Sequence, residues 1–258
     1  MAEPQLPRNL AVVILAAGKG TRMKDPDMAK VMYPIEGKPM VAYVVELAER
    51  IGAGRILLVV GWKKETIIGH FSGASPRITF VSQDRQMGTG HAVQQTAGAL
   101  ADFNGDVLVL SGDVPLLTEK TLRALLGYHR TTGAAATILT AEVAEPAGYG
   151  RIVRNKDESV LRIVEEKDAS AQEKKITEIN SGIYLFEREK LFQALGVITP
   201  ENAQGEYYLT DVFEIFSKNG WRISAVKCLD PAEVAGINDL SQLESARTVM
   251  LGRAGGAV

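Results

Sequence analysis

The 258 residues suffice for one large or two small domains, and a chain of that length buries roughly three quarters of its unfolded surface. With 46% apolar and 23% charged residues, the composition is that of a folded globular protein and excludes intrinsic disorder and fibrous repeats. Against 31 Asp and Glu stand 29 Lys and Arg, a net charge of -2 too balanced to steer the whole surface onto nucleic acid or anionic lipid, so any phosphate chemistry is local.

After a polar lead, residues 10–15 read as a fully buried strand. The apolar run 10–17 meets Gly18 after eight residues, too short to span a bilayer and wrongly flanked for a signal peptide. Residues 41–51 have helical apolar spacing and stop at Gly52, and 55–61 form a β-branched strand. The alternation continues with a strand at 78–81, a helix at 91–100, a strand at 106–110 and a helix capped by Thr118 ahead of Glu119. Such alternation predicts a parallel sheet with helices on both faces. From about 137 the pattern turns strand-rich, with strands at 138–143, 151–153, 160–164 and 179–186, a portion expected to add a lid. A helix at 206–218, a strand at 222–226, a closing helix at 240–251 and a flexible tail at 252–258 complete the chain. The expected fold is α/β, a Rossmann-like doubly wound, mostly parallel sheet with an inserted β-rich portion, as one domain over 1–258.

Cys228 is the sole cysteine, which excludes an intrachain disulfide framework and points to a reducing, cytoplasmic setting. On its strand it reads as a small buried hydrophobe. His70, His91 and His129 lack metal-ligand spacing, so a metal, where present, is a hard ion held by oxygen.

The chemistry concentrates first in Leu15-Ala-Ala-Gly-Lys-Gly-Thr-Arg-Met23. Small residues let the backbone approach a ligand, and exposed amides with Lys19 and Arg22 can cradle phosphate. The loop lacks the third glycine of the dinucleotide pattern and the Ser or Thr of the Walker pattern, and a mobile turn is its plainer reading. Asp113, after Ser111-Gly112, serves either as a turn residue or as a metal ligand. Asn238 either caps the last helix or joins Asp113 on a metal. Glu165-Glu166-Lys167 also reads as a solvated charged turn, and His91 as opening a helix without a catalytic task.

The loop at 15–23, with Lys30-Val31 and Gly37-Lys-Pro39 after it, resembles the opening signature of the sugar-1-phosphate nucleotidyltransferases. Later segments narrow the resemblance: Gln83-Asp-Arg-Gln-Met-Gly-Thr-Gly-His-Ala92, Ser111-Gly-Asp-Val-Pro-Leu116, Gly148-Tyr-Gly-Arg-Ile152, Val164-Glu-Glu-Lys-Asp-Ala169, Glu178-Ile-Asn-Ser-Gly-Ile183, Asn202-Ala-Gln-Gly-Glu-Tyr-Tyr-Leu-Thr-Asp211 and Gly236-Ile-Asn238. In that order they are similar to the uridylyltransferase domain of the bifunctional bacterial enzyme that forms UDP-N-acetylglucosamine.

The resemblance implies that Leu15, Ala16, Ala17 and Gly18 hold UTP together with Gln83, Gly88 and Thr89, the latter three at the uracil edge. It implies that Arg22 and Lys30 neutralise triphosphate oxygens, with Lys167 near the sugar phosphate. Gly150, Glu165 and Asn180 would bind the sugar phosphate, and Asp113 and Asn238 would hold Mg²⁺. Residues 10–135 then form a nucleotide-binding half, 136–238 a sugar-phosphate half and 239–251 the closing helix. The implied partners are UTP and a hexosamine 1-phosphate, with neither nucleic acid nor membrane, on a cytoplasmic monomer or weak dimer. Two other readings stand beside it: uridylyl or thymidylyl transfer to another sugar 1-phosphate such as glucose 1-phosphate, and a catalytically silent nucleotide-binding module. Three positions depart from the family pattern, Ala29 before Lys30 in a longer loop through Pro26, Ser111, and Ser181. The sequence shows no hexapeptide repeat, so acetyl transfer and a β-helix trimer are not expected of it.

Overall fold

A computed structural model describes residues 9–23, 25 and 27–255, the last two by backbone alone. Pro26, part of the longer loop, and residues 256–258 of the predicted tail lie outside the described residues. The elements are β1 (Asn9–Ala16), β2 (Pro34–Ile35), β3 (Lys38–Pro39), α1 (Met40–Arg50), β4 (Arg55–Val60), α2 (Lys64–Phe71), β5 (Ile78–Ser82), α3 (Thr89–Gln94) and β6 (Gly105–Ser111). There follow α4 (Glu119–Thr132), β7 (Ala136–Glu142), β8 (Arg151–Arg154), β9 (Val160–Val164), β10 (Glu178–Glu187), α5 (Arg188–Leu195), α6 (Asp211–Lys218), β11 (Ile223–Cys228) and α7 (Leu240–Gly255).

The main sheet has the order β11-β7-β10-β6-β1-β4-β5. β1 runs parallel to β4 and β6, β4 to β5, and β7 to β11, while β10 is antiparallel to both β6 and β7. Two reversals cancel, so β6 and β7 share a direction and β10 alone on this path runs against it. The hairpin β8–β9 joins through β10, supplying the inserted β-rich portion.

Why both faces of the strands are apolar follows from what covers them. Leu10, Val12, Ile14 and Ala16 of β1 enter one core with α1, α2 and α4, whereas Ala11 and Val13 enter a second core with α3, α5 and α6. β4 divides in the same way, Ile56 and Leu58 to the first core and Leu57 and Val59 to the second. A strand buried on both sides reads as a continuous apolar run, and each of its Val, Leu and Ile side chains contributes about 2 kcal/mol by leaving water. α4 starts where predicted, with the Thr118 hydroxyl accepting the Thr121 N–H at 3.2 Å.

Five helices differ from the sequence reading. α2 and α5 are additional helices. The helix expected over 91–100 is α3 followed, after a turn, by a short 3₁₀ segment Gly98–Leu100. The helix expected from 206 begins only at Asp211, because residues 206–209 serve as a strap across the loop at 88–90. α7 continues through Gly252, which the sequence reading places in the tail. Its Leu243, Ala246, Val249 and Met250 pack on a third apolar cluster with Met23, Tyr33 and Ile237. No helix among the described residues is long and apolar enough to cross a membrane.

Candidate active site

From β1 the chain winds outward to β4 and β5 on one side, while β6 lies on the other. β1 and β6 stay paired to Leu15 and Ser111, and the winding reverses at their carboxyl ends, the place where open α/β sheets bind ligands. A cavity of about 380 Å³ sits there, lined by Leu15, Ala16, Ala17, Gly18, Lys30, Gln83, Gly88, Thr89 and Asp113 among others. The predicted nucleotide residues, separated by 74 positions from first to last, thus share one wall system with Lys30 and Asp113.

Local rules place each of them. Gly20, at φ +62°, lets the loop cross Lys30, into whose side chain a Cβ there would run. Lys30 is thereby directed inward, and its ammonium group contacts the Asp113 carboxylate and lies 3.0 Å from Asn238 Oδ1. Asp113 follows β6, and its carbonyl accepts the Ile237 N–H at 2.9 Å, which ties the segment carrying Asn238 to the end of β6. The Asn238 amino group donates to the Gly236 carbonyl at 3.1 Å, leaving the amide oxygen turned to the cation. One anionic and one neutral oxygen converge on a positive group, a donor set that fits a hard divalent ion. Among the described residues no cluster of three His, Cys, Asp or Glu side chains exists, so a metal at this place would take its other ligands from phosphate oxygens and water.

At the far wall Gln83 is 3% exposed and donates from its side-chain nitrogen to the Gly88 carbonyl at 3.0 Å. Gly88 adopts φ 102° and ψ 173°, a conformation open to little but glycine. The strap holds it from outside: Tyr207 N–H donates to the Met87 carbonyl at 2.8 Å, Gly90 N–H to the Tyr207 carbonyl at 2.8 Å, and Leu209 N–H to the Thr89 hydroxyl at 3.1 Å.

A second group of predicted residues gathers around β10. Asn180 N–H donates to the Gly150 carbonyl at 2.9 Å, and its side chain donates to the Tyr184 hydroxyl at 2.7 Å. Glu165 accepts from the Thr210 hydroxyl at 3.0 Å, and burial pushes its carboxyl above the ordinary range. Burial first, and then the Glu165 charge, raises Asp211 to about 6. A Cβ on Gly182 of β10 would stand 3.7 Å from the Ser111 hydroxyl, which lines the cavity, so this group adjoins it; burial, and then the Asp113 charge, raises Tyr149 beside Gly150.

Arg22 and Lys167 stand apart from both groups. Arg22 is exposed on the 3₁₀ turn Thr21–Met23 and is not among the residues lining the cavity. Lys167 is exposed and donates to Gln204 Oε1 at 2.7 Å. Conversely, Gln86 and Glu206 line the cavity without having been singled out, although each lies inside a quoted motif. Lys19, which also lines the cavity, has its ammonium 5.3 Å from the Trp62 ring.

A strand-end crevice with a glycine loop, a polar far wall and a paired carboxylate and carboxamide belongs to the nucleotidyltransferase class. A family model described as the MobA-like NTP transferase domain matches residues 12–178, and the chain belongs to this family. It is 51% identical over 238 residues to "Bifunctional protein GlmU" of Geobacter metallireducens, covering 92% of this chain and 50% of the relative. The protein of the same name from Geobacter sulfurreducens is 52% identical over 238 residues with the same coverage. The chain therefore spans about half the length of these curated relatives. Among solved structures, UDP-glucose pyrophosphorylase complexed with UDP-glucose superposes with a TM-score of 0.77 at 19% identity, covering 95% of this chain and 99% of that one. A putative glucose-1-phosphate thymidylyltransferase from Bacillus anthracis gives a TM-score of 0.74 at 19% identity, covering 93% and 94%. At such identity the likeness is one of fold.

Proposed function

We propose that this chain transfers a uridylyl group from UTP to N-acetylglucosamine 1-phosphate, giving UDP-N-acetylglucosamine and pyrophosphate with Mg²⁺ as cofactor. The observation that carries it is the convergence of Asp113 and Asn238 on the Lys30 ammonium, at the junction between the cavity and the Asn180 group. The sequence resemblance supplies the substrate pair.

In the reaction an oxygen of the sugar phosphate forms a bond to the α-phosphorus as the bond from that phosphorus to pyrophosphate breaks. A phosphate monoester has a second pKa of about 6 and arrives ionised, so no side chain needs to act as base. The chain's task is positioning and charge relief. Backbone amides of the loop at 16–20 approach the triphosphate, and Lys30 and Arg22 offset charge gathering on the leaving group. Gln83, Gly88 and Thr89 meet the base. Asn180 and Glu165 hold sugar hydroxyls or the acetamido group, and Gly150 leaves room for them. Lys167 is assigned to the sugar phosphate by the sequence resemblance. Mg²⁺ held by Asp113 and Asn238 would neutralise phosphate oxygens as a Lewis acid.

Product formation across a grid of UTP, CTP and dTTP against N-acetylglucosamine 1-phosphate and glucose 1-phosphate tests the substrate pair. The highest kcat/KM is expected with UTP and N-acetylglucosamine 1-phosphate; a maximum at another pair replaces this substrate assignment.

A further inference from the structure

The buried amide of Gln83 uses its nitrogen twice. It donates to the Gly88 carbonyl at 3.0 Å and lies 3.0 Å from Nδ1 of His91, on the first turn of α3. A carbonyl oxygen only accepts, so Gly88 fixes the nitrogen end of this amide on that side. His91 Nδ1 then accepts the second amide hydrogen, and the ring proton resides on Nε2. Gln95 meets Nε2 at 3.1 Å from an exposed position and also donates to the His91 carbonyl at 3.1 Å; at that exposed place water can take over the carbonyl contact when the Gln95 amide turns its oxygen to the ring N–H. Gln83, at 3% exposure, has no such alternative. Burial lowers the His91 pKa, which keeps the ring neutral and its acceptor available.

We infer that His91 is a positioning residue for base choice: together with the Gly88 carbonyl it occupies both amide hydrogens of Gln83, so that Gln83 meets the base with its oxygen. The inference rests on the reading that Gln83 faces the base of UTP. Uracil carries an N–H at position N3 and is matched by that oxygen. Cytosine carries a bare N3, which sets two acceptors against each other, and a site built for one hydrogen-bonding edge rejects the other. Without the His91 acceptor the amide loses one of its two anchors and can present its nitrogen instead. The effect lies in which triphosphate is taken, and His91 itself touches neither reacting atom.

Nitrogen NMR of the wild-type protein near neutral pH reads the tautomer directly. His91 is expected to be protonated on Nε2 and bare on Nδ1; a proton on Nδ1 overturns the inference. His91→Leu is expected to lower the ratio of kcat/KM for UTP over CTP by about tenfold, the loss of one hydrogen bond. His91→Asn, whose amide oxygen can replace Nδ1, is expected to bring the ratio back to within about threefold of the parent, since one acceptor is restored. A His91→Leu enzyme that keeps the parent's ratio, or loses rate equally on both triphosphates, overturns the positioning role. Should His91→Leu fail to fold, the tautomer and the His91→Asn ratio decide. A parent enzyme with no preference for UTP over CTP would overturn the placement of Gln83 at the base, and the tautomer would still judge the hydrogen bond on its own.

Discussion

Replacing Gly88 with alanine tests the wall on which nucleotide binding depends. A Cβ at this position would stand 2.5 Å from the Tyr207 carbonyl oxygen and 2.9 Å from the Tyr207 nitrogen. The first distance falls about 0.8 Å short of an ordinary carbon to oxygen contact of about 3.3 Å. Neither atom yields freely, because one accepts from Gly90 N–H and the other donates to the Met87 carbonyl. Moving the strap weakens one or both hydrogen bonds, about 1 kcal/mol each, and alanine at φ 102° and ψ 173° adds backbone strain of about 1–3 kcal/mol. We expect a loss of about 3 kcal/mol in urea unfolding, and weaker UTP binding by calorimetry as the wall shifts outward. Parental stability with parental UTP affinity would refute the tight clasp of 206–207 on Gly88. A destabilised variant with unchanged affinity would refute the placement of the nucleotide against this wall.

Further outcomes follow from the charged groups. Asp113→Ala and Asn238→Ala are expected to lower metal-dependent turnover by orders of magnitude with the fold intact by circular dichroism; near-normal rates at limiting Mg²⁺ would contradict the metal assignment. Lys30→Ala and Arg22→Ala are expected to reduce kcat more than UTP affinity, because phosphate charge grows toward the transition state; an affinity loss with kcat intact would argue against that role. Asp211, raised to about 6 by burial and the Glu165 charge, is protonated in the folded state at pH values where the unfolded chain has ionised. The folded state then binds more protons, so ionised Asp211 opposes folding, an effect absent in acid and established as pH rises from about 4 to 6. Asp211→Asn is expected to gain about 1 kcal/mol near pH 8, discounted for partial exposure, and nothing near pH 4, in paired denaturation curves. A gain of equal size at both would show another cause.

Much of the fold was legible where burial is two-sided. β1, β4 and β6 announce themselves as apolar runs because both faces meet helices, and β9 matches its predicted bounds at 160–164. What escaped had a weaker or misleading signal. α5 begins Arg-Glu-Lys and is eight residues long, so its short apolar face lacks the repeat that marks longer helices. Tyr207, Tyr208 and Leu209 look like the start of a helix, yet Tyr207 and Leu209 are tied by hydrogen bonds to the 87–90 loop, a contact across more than a hundred residues. The site showed the same division. Motif order pointed to Asp113 and Asn238, but that Lys30 lies between them depends on the crossing at Gly20 and the tie from Ile237 to Asp113. His91 carried no signal of its own, since its meaning comes from which end of a neighbouring amide it faces.

Pyrophosphate release from UTP and N-acetylglucosamine 1-phosphate, followed with Mg²⁺ and again with excess chelator, tests the central claim most directly. The account predicts release that requires both substrates, stops on chelation and returns when Mg²⁺ is restored. Absence of release with both substrates and Mg²⁺ present, by a folded protein that binds UTP, would contradict it.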